Sequence, residues 1–119
     1  MLVAIFYLLF ILSNAVVFDM IYCQGSLTGL IPAMYLDLHG NEVECPDESA
    51  GLYIKSRNGD LKHVQLPINS IAFQIGETAQ IHTGGILQAT PHAVRGCSGI
   101  GGKSSVVSRE SFAVFMEPE

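Results

Sequence analysis

The sequence has few charged residues, and basic side chains are the scarcer kind. Charged residues make up 14% of the 119 positions, with six Lys and Arg against eleven Asp and Glu, for a net charge of −5. The six basic residues are scattered along the chain. Because nucleic-acid binding depends on concentrated positive charge, we expect no nucleic-acid partner.

Cysteine is also scarce. The chain has three, Cys23, Cys45 and Cys97, an odd number without the spacing of a metal site. A secreted disulfide framework favours four or six, so we predict ordinary thiols. The sequence also lacks an internal repeat and a Gly-rich phosphate loop followed by a helix. Its length allows one domain at most.

The first eighteen residues carry almost no polar side chains. Leu2 to Leu12 is an unbroken apolar run, Ser13, Asn14 and Ala15 follow, and the first charge is Asp19. The run has the length of a signal-peptide core, but the basic residues that precede such a core are absent. A membrane span needs roughly 20 residues, so residues 1–18 barely suffice. We interpret them as an apolar leader: a signal or membrane anchor, or translated non-coding sequence from a mis-bounded gene. A buried strand or helix is the reading that we favour least.

From Leu27 onward the pattern is typical of β-structure. Asn58-Gly59 lies between two alternating segments and predicts a hairpin, because this dipeptide suits turn positions with positive φ. We found no convincing amphipathic helix, and we expect a polar loop at 40–50 and a flexible Gly- and Ser-rich loop at 96–105. The predicted strands are two within 27–38 and one each at 52–56, 61–66, 70–75, 79–82, 86–89 and 106–116. Short strands with frequent turns indicate an antiparallel sandwich or jelly roll.

Motifs in the second half of the chain resemble a known family. Gly76-Glu77 is followed by the Thr83-Gly84-Gly85 turn, then by Thr90-Pro91-His92, and a strand later by Arg109-x-Ser111. This ordered set resembles the distal half of the double-stranded β-helix of non-haem Fe(II)- and 2-oxoglutarate-dependent oxygenases, in the isopenicillin N synthase-like branch. The resemblance covers roughly residues 25–119. It implies an all-β fold, an incomplete double-stranded β-helix (jelly roll) preceded by the apolar segment.

The resemblance also implies roles for three residues. His92 matches the distal iron ligand, and Arg109 with Ser111 matches the pair that holds the far carboxylate of 2-oxoglutarate. Residues at i and i+2 share one face of a strand, and a guanidinium binds a carboxylate with two parallel hydrogen bonds. In the family, two His and one carboxylate hold Fe(II), and a small organic substrate is oxidised or hydroxylated as 2-oxoglutarate is decarboxylated. Family members are cytoplasmic, whereas a genuine leader would imply secretion or a membrane.

The other two iron ligands of the family are missing from this chain. They form a His-x-Asp pair shortly before a segment that Gly25-Ser26-Leu27-Thr28 matches, which puts the His position at Ile21 and the Asp position at Cys23. Ile cannot bind iron, and a thiolate beside one His is not the site of this family. We therefore predict a truncated member that is inactive as written.

Other residues offer weaker alternatives. Asp37-x-His39 is a reversed ligand pair, and the resemblance places it beyond the ligand strand. We interpret His63 and His82 as surface residues or neighbours of the site. A second hypothesis for the whole chain is a non-enzymatic β-domain, secreted or tethered to a membrane through residues 1–18, that binds a partner.

Overall fold

The computed structural model describes residues 4–8, 11–12, 16–21, 25–97 and 107–117, and its regular structure is almost entirely β-strand. Within these ranges there are twelve strands and one short helix. They are β1 (Ala4–Leu8), β2 (Ile11–Leu12), β3 (Val16–Ile21), β4 (Leu27–Leu30), β5 (Met34–Leu36), β6 (Glu42–Val43), β7 (Gly51–Lys55), β8 (Leu61–Val64), β9 (Ala72–Ile75), α1 (Glu77–His82), β10 (His92–Arg95), β11 (Ser108–Glu110) and β12 (Phe112–Met116).

The strands form three small antiparallel sheets. The first has the order β1-β12-β4-β9, the second β3-β10-β7-β8, and the third β2-β11-β5-β6. The prediction of a β-rich antiparallel fold is confirmed.

Alternation along the first sheet separates an inner face from an outer one. Thr28 lies opposite both Gln74 and Phe115, and Leu30 lies opposite Ala113. All five of these residues line one cavity. Phe73 and Phe112 fall on alternate positions and are exposed. The period of two therefore gives the sheet one face towards the cavity.

The predicted hairpin is confirmed in the second sheet. β7 and β8 pair antiparallel from Leu52 and Val64 to Lys55 and Leu61. The turn is closed by the Gly59 N–H, which donates to the Ser56 carbonyl at 2.9 Å, and Gly59 has a φ of +89°. The Asn-Gly signal succeeded because the turn requires positive φ at this glycine.

The strand predicted at residues 79–82 is wrong, because these residues belong to helix α1. Gly76 is the N-cap, and its carbonyl accepts the Gln80 N–H at 3.2 Å. The segment contains three good helix formers, Glu77, Ala79 and Gln80. Glu77 lies in the first turn, where its negative charge interacts favourably with the positive end of the helix dipole.

The strand predicted at residues 86–89 is also wrong. Two backbone amides of this segment donate to side chains of the preceding helical region. The Leu87 N–H contacts Thr83 Oγ1 at 3.1 Å, and the Ala89 N–H contacts Gln80 Oε1 at 2.7 Å. These two side-chain oxygens accept hydrogen bonds from backbone N–H groups that would donate to a neighbouring strand if the segment were part of a sheet.

The long final strand is divided in two. Ser111 separates β11, which pairs with β5, from β12, which pairs with β4. The two strands predicted within residues 27–38 are confirmed as β4 and β5. The loop expected at residues 40–50 contains the two-residue strand β6. Residues 98–105 of the predicted flexible loop lie outside the described residues.

Parts of the apolar N-terminal segment form strands. β1 pairs with β12, β2 with β11, and β3 with β10. The division into a leader at residues 1–18 and an oxygenase-like domain at 25–119 stays a prediction. Over the residues that the structure describes, no helix has the length and apolar character to cross a membrane.

The buried core is small. Among the described residues, Ala50, Ala93, Cys97 and Val107 are the buried apolar side chains. Three of them, Ala50, Cys97 and Val107, form one cluster, on which the half-buried Tyr35 packs. A chain of this size leaves a large share of its apolar surface exposed.

Candidate functional site

A cavity of about 670 Å³ is lined by residues from all three sheets. It brings together the three site residues that the sequence predicts. His92 is the first residue of β10, Arg109 lies in β11, and Ser111 lies in the break between β11 and β12. Their proximity to one cavity is a geometric fact, and their roles remain predictions.

His92 is held through its Nδ1 atom. The Gln74 Nε2 atom is in hydrogen-bond contact with His92 Nδ1, and the Thr90 carbonyl oxygen lies 3.2 Å from the same nitrogen. The Gln74 amide also donates to the Thr90 carbonyl at 3.2 Å. Because these contacts occupy Nδ1, any ligand of the imidazole would meet Nε2.

Arg109 presents a nitrogen without a partner. Its Nε atom is buried and makes no hydrogen bond within the described part of the chain. Arg109 lies opposite Tyr35 across the β11–β5 pair, and both line the cavity. Ser111 lines the same cavity although it lies outside the strand. A guanidinium and a hydroxyl on one wall suit a carboxylate.

The described residues do not fit Fe(II). No group of three or more His, Cys, Asp or Glu side chains among the described residues is placed to hold a metal ion. Ile21 is the Cα partner of His92 in the β3–β10 pair, so the position aligned with the missing His lies beside the one present. Position 23 lies outside the described residues. One His alone gives too little affinity for this metal.

The alternative ligand pair builds a turn instead. Asp37 Oδ1 accepts the His39 N–H at 2.8 Å and the Asn41 N–H at 2.9 Å. Hydrogen bonds from the Asn41 backbone and side chain lower the pKa of Asp37. Neither Asp37 nor His39 lines the cavity.

The two remaining histidines differ in position. His63 lines the cavity, and its ring stacks on Tyr53 with centroids 4.7 Å apart. His82 ends helix α1, is exposed, and does not line the cavity. Neither belongs to a metal-binding group among the described residues.

The polar residues of the cavity wall that were not singled out from the sequence include Tyr35, Asp47 and Gln74. Burial, followed by a hydrogen bond with Cys45, raises the pKa of Tyr35. Asp47 is buried, and its Oδ1 accepts the Ser49 N–H at 2.9 Å and also the Ser49 hydroxyl. Gln74 is the sole polar residue in the apolar segment 71–75, and this isolated polar side chain is the sequence feature by which it could have been found.

Several solved structures share this architecture. A C-terminally truncated Neurospora crassa protein in its apo form matches with a TM-score of 0.56 and 21% identity, over 82% of this chain and 30% of that one. A protein from Shewanella oneidensis assigned as an oxygenase matches with a TM-score of 0.57 and 21% identity, over 83% and 30%. The full-length Neurospora crassa protein in complex with alpha-KG (2-oxoglutarate) and thymine matches with a TM-score of 0.56 and 23% identity, over 83% and 25%.

These likenesses show the fold. No family model and no curated protein sequence matches the chain. The chain spans 25% to 30% of the length of the three structures described.

Proposed function

We propose that the chain is part of an Fe(II)- and 2-oxoglutarate-dependent oxygenase of the isopenicillin N synthase-like branch, and that its cavity binds 2-oxoglutarate through Arg109 and Ser111. The observation that carries the proposal is the buried Arg109 Nε without a partner among the described residues, in the cavity that Ser111 and His92 also line. A buried polar atom without a hydrogen bond costs about 1–3 kcal/mol. A carboxylate would satisfy the guanidinium with charge-assisted hydrogen bonds.

The strand order supports a double-stranded β-helix. One sheet holds β1, β4, β9 and β12, and another holds β3, β7, β8 and β10. The third sheet holds β2, β5, β6 and β11, so the chain returns repeatedly to each of three four-stranded antiparallel sheets, an arrangement that is compatible with a jelly roll. The oxygenase structures that share the fold support the same architecture.

We further propose that the chain is catalytically incompetent as written. In the family, iron is held by the distal His, here His92, together with a His-x-Asp pair, and this chain has Ile21 and Cys23 at the positions of that pair. The cavity therefore keeps the co-substrate half of the site. Crystal structures of the Neurospora crassa protein contain thymine or 5-formyluracil, which supports a small organic substrate for an intact relative of this chain.

The other hypothesis, a secreted or membrane-tethered binding domain, gains no support from these observations. The structures that share the fold are oxygenases.

Isothermal titration of the whole chain with 2-oxoglutarate, in the presence of a chelator, tests the site. Two charge-assisted hydrogen bonds give a dissociation constant on the order of 1 mM. Glutarate, which lacks the keto group, is expected to bind as tightly as 2-oxoglutarate, because the chelator leaves no metal ion to contact that group. The dimethyl ester of 2-oxoglutarate is expected not to bind. Failure of both free dicarboxylates to bind a folded chain would contradict the proposed site.

Succinate production tests the proposal that the chain is catalytically incompetent. With Fe(II) and 2-oxoglutarate, we expect no succinate above the protein-free background. Succinate that requires the protein and disappears in His92→Ala would show that the chain is a working oxygenase.

A further inference from the structure

Two cysteines far apart in the sequence meet beside the cavity. Cys45 Sγ and Cys97 Sγ lie 3.8 Å apart, although 52 positions separate them. Cys97 belongs to the small buried cluster with Ala50 and Val107, and Cys45 packs against that cluster. Both are free thiols.

We propose that Cys45 and Cys97 are a redox-active pair that forms an intramolecular disulfide when a peroxide oxidises the chain. A disulfide bond is about 2.05 Å long, so the two sulfurs, now 3.8 Å apart, need to approach by about 1.8 Å. Cys45 lies in the segment between β6 and β7, outside the strands. A loop residue makes such an approach with less disruption than a residue held in a sheet.

The surroundings assign a different part to each sulfur. Cys45 lines the cavity, where a small peroxide can reach it, and its Sγ–H donates to the Asp47 carbonyl at 3.1 Å. Cys97 is only 7% exposed, and burial raises the pKa of its thiol to about 12. Because the peroxide meets the sulfur that lines the cavity, Cys45 reacts first, and the buried Cys97 then attacks the oxidised Cys45.

The two steps balance without a further reagent. The Cys45 sulfur attacks one peroxide oxygen, the O–O bond breaks, and Cys45 sulfenic acid and one water form from a thiol and hydrogen peroxide. The Cys97 sulfur then attacks the sulfenic sulfur, a second water leaves with the Cys97 proton, and the S–S bond forms. Each sulfur loses one electron, and the two peroxide oxygens gain them.

The pair lies beside Tyr35, which is opposite Arg109 of the proposed anion site in the β11–β5 pair. Tyr35 shares a hydrogen bond with Cys45, and the Arg109 charge acts on both Tyr35 and Cys97. A disulfide removes the Cys45 proton from this group. Disulfide formation itself does not depend on what the cavity binds, so it stands or falls separately from the proposed function.

Peptide mapping of the whole chain tests the proposal. Trypsin with a glutamate-specific protease separates the three cysteines, because Cys23 lies in residues 1–42, Cys45 in 45–48 and Cys97 in 96–103. After treatment with hydrogen peroxide, and alkylation of the remaining thiols in denaturant so that the buried Cys97 is also reached, we expect the 45–48 and 96–103 peptides to be linked. This link should be at least about tenfold more abundant than after peroxide treatment of the chain unfolded in urea, since groups held close together react far faster than separated ones.

Substitutions of single cysteines test which sulfur reacts first with peroxide and which forms the disulfide with it. Cys23→Ser is the matched control and is expected to form the same link as the unchanged chain. Cys97→Ala is expected to stop at a Cys45 sulfenic acid that dimedone traps, and Cys45→Ala is expected to keep Cys97 alkylatable. Should either alanine variant unfold, the link in Cys23→Ser decides alone. Complete alkylation of Cys45 and Cys97 after peroxide, in a chain whose circular dichroism remains that of β-structure, would overturn the proposal, as would a dominant link to Cys23.

Discussion

Replacing Arg109 with alanine is the sharpest test of the cavity as a carboxylate site. The Arg109 Nε atom is buried and unpaired among the described residues, so no internal group competes with a bound carboxylate for that nitrogen. Each hydrogen bond to a charged group contributes about 1.5–3 kcal/mol. Loss of the bidentate pair is therefore expected to weaken 2-oxoglutarate binding about 100-fold or more, which removes a millimolar affinity from the measurable range.

Arg95 provides a matched control. Its Nε atom is likewise buried without a partner among the described residues, but Arg95 does not line the cavity. Arg95→Ala and Arg109→Ala change the net charge equally, so any long-range effect of charge is the same in both. We expect Arg95→Ala to weaken binding far less than Arg109→Ala does, because Arg95 does not line the cavity and cannot donate to a ligand there.

Arg109→Lys separates charge from shape. Lysine keeps the positive charge but lacks the planar fork, so one of the two hydrogen bonds is lost. Arg109→Lys is expected to bind 2-oxoglutarate about tenfold more weakly than the unchanged chain, which is a smaller loss of affinity than that expected for Arg109→Ala. Titration calorimetry gives all three affinities, and circular dichroism checks the fold. Equal weakening in Arg95→Ala and Arg109→Ala would refute the reasoning, because the effect would then come from net charge.

Three further predictions concern the metal site, the hairpin and the N-terminal segment. The double change Ile21→His with Cys23→Asp is expected to give Fe(II) binding that the parent lacks, and a titration without any gain in a folded sample would contradict the alignment. Gly51→Ala is expected to lower the free energy of unfolding by about 2–3 kcal/mol in a urea titration. Its φ is +133° and an added Cβ would lie 2.7 Å from His63 Nε2, whereas Gly40→Ala, with open space around it, should cost only about 1 kcal/mol. Deleting residues 1–18 is expected to lower the melting temperature and increase self-association in gel filtration, because it removes β1 and β2 from β12 and β11. An unchanged melt would show that this segment is a dispensable leader.

The last of these predictions is the opposite of what the composition of the segment suggests. Taken alone, an apolar stretch of eighteen residues adds exposed surface, so its removal should improve solubility. The pairing of β1, β2 and β3 with β12, β11 and β10 gives the opposite result. An apolar run without alternation does not distinguish a signal core from a buried strand, so this difference could not be predicted from periodicity.

Local signals explain which elements the sequence predicted well. The hairpin depends on Gly59 and its neighbours, all within a few residues, and it was found. Helix α1 was missed because six residues with a glycine cap give too short a pattern to separate a helix turn from a strand. The segment at residues 86–89 was missed because Gln80 and Thr83 side chains bind its amides, a choice that no residue pattern reveals.

For the candidate site, too, some residues could be predicted from the sequence and some contacts could not. His92, Arg109 and Ser111 were selected by the order of their motifs, and the structure brings them to one cavity. The contact of Gln74 with His92 spans 18 positions, and that of Cys45 with Cys97 spans 52. Contacts at such separations are created by strand order, so neither could be read from spacing.

The position of Ile21 connects the two lines of reasoning about iron. The sequence placed the missing His at position 21 from the match of Gly25 to Thr28 with the segment that follows the ligand pair. The β3–β10 register, which makes no use of that match, sets Ile21 opposite His92. Directly opposite positions in an antiparallel pair have β-carbons about 5 Å apart, a distance at which two imidazoles can share a metal. We therefore expect a His at position 21 to lie within reach of His92, whereas isoleucine has no atom that can bind a metal. For this reason a gain of iron binding on restoring His and Asp is more informative than any loss on removing His92.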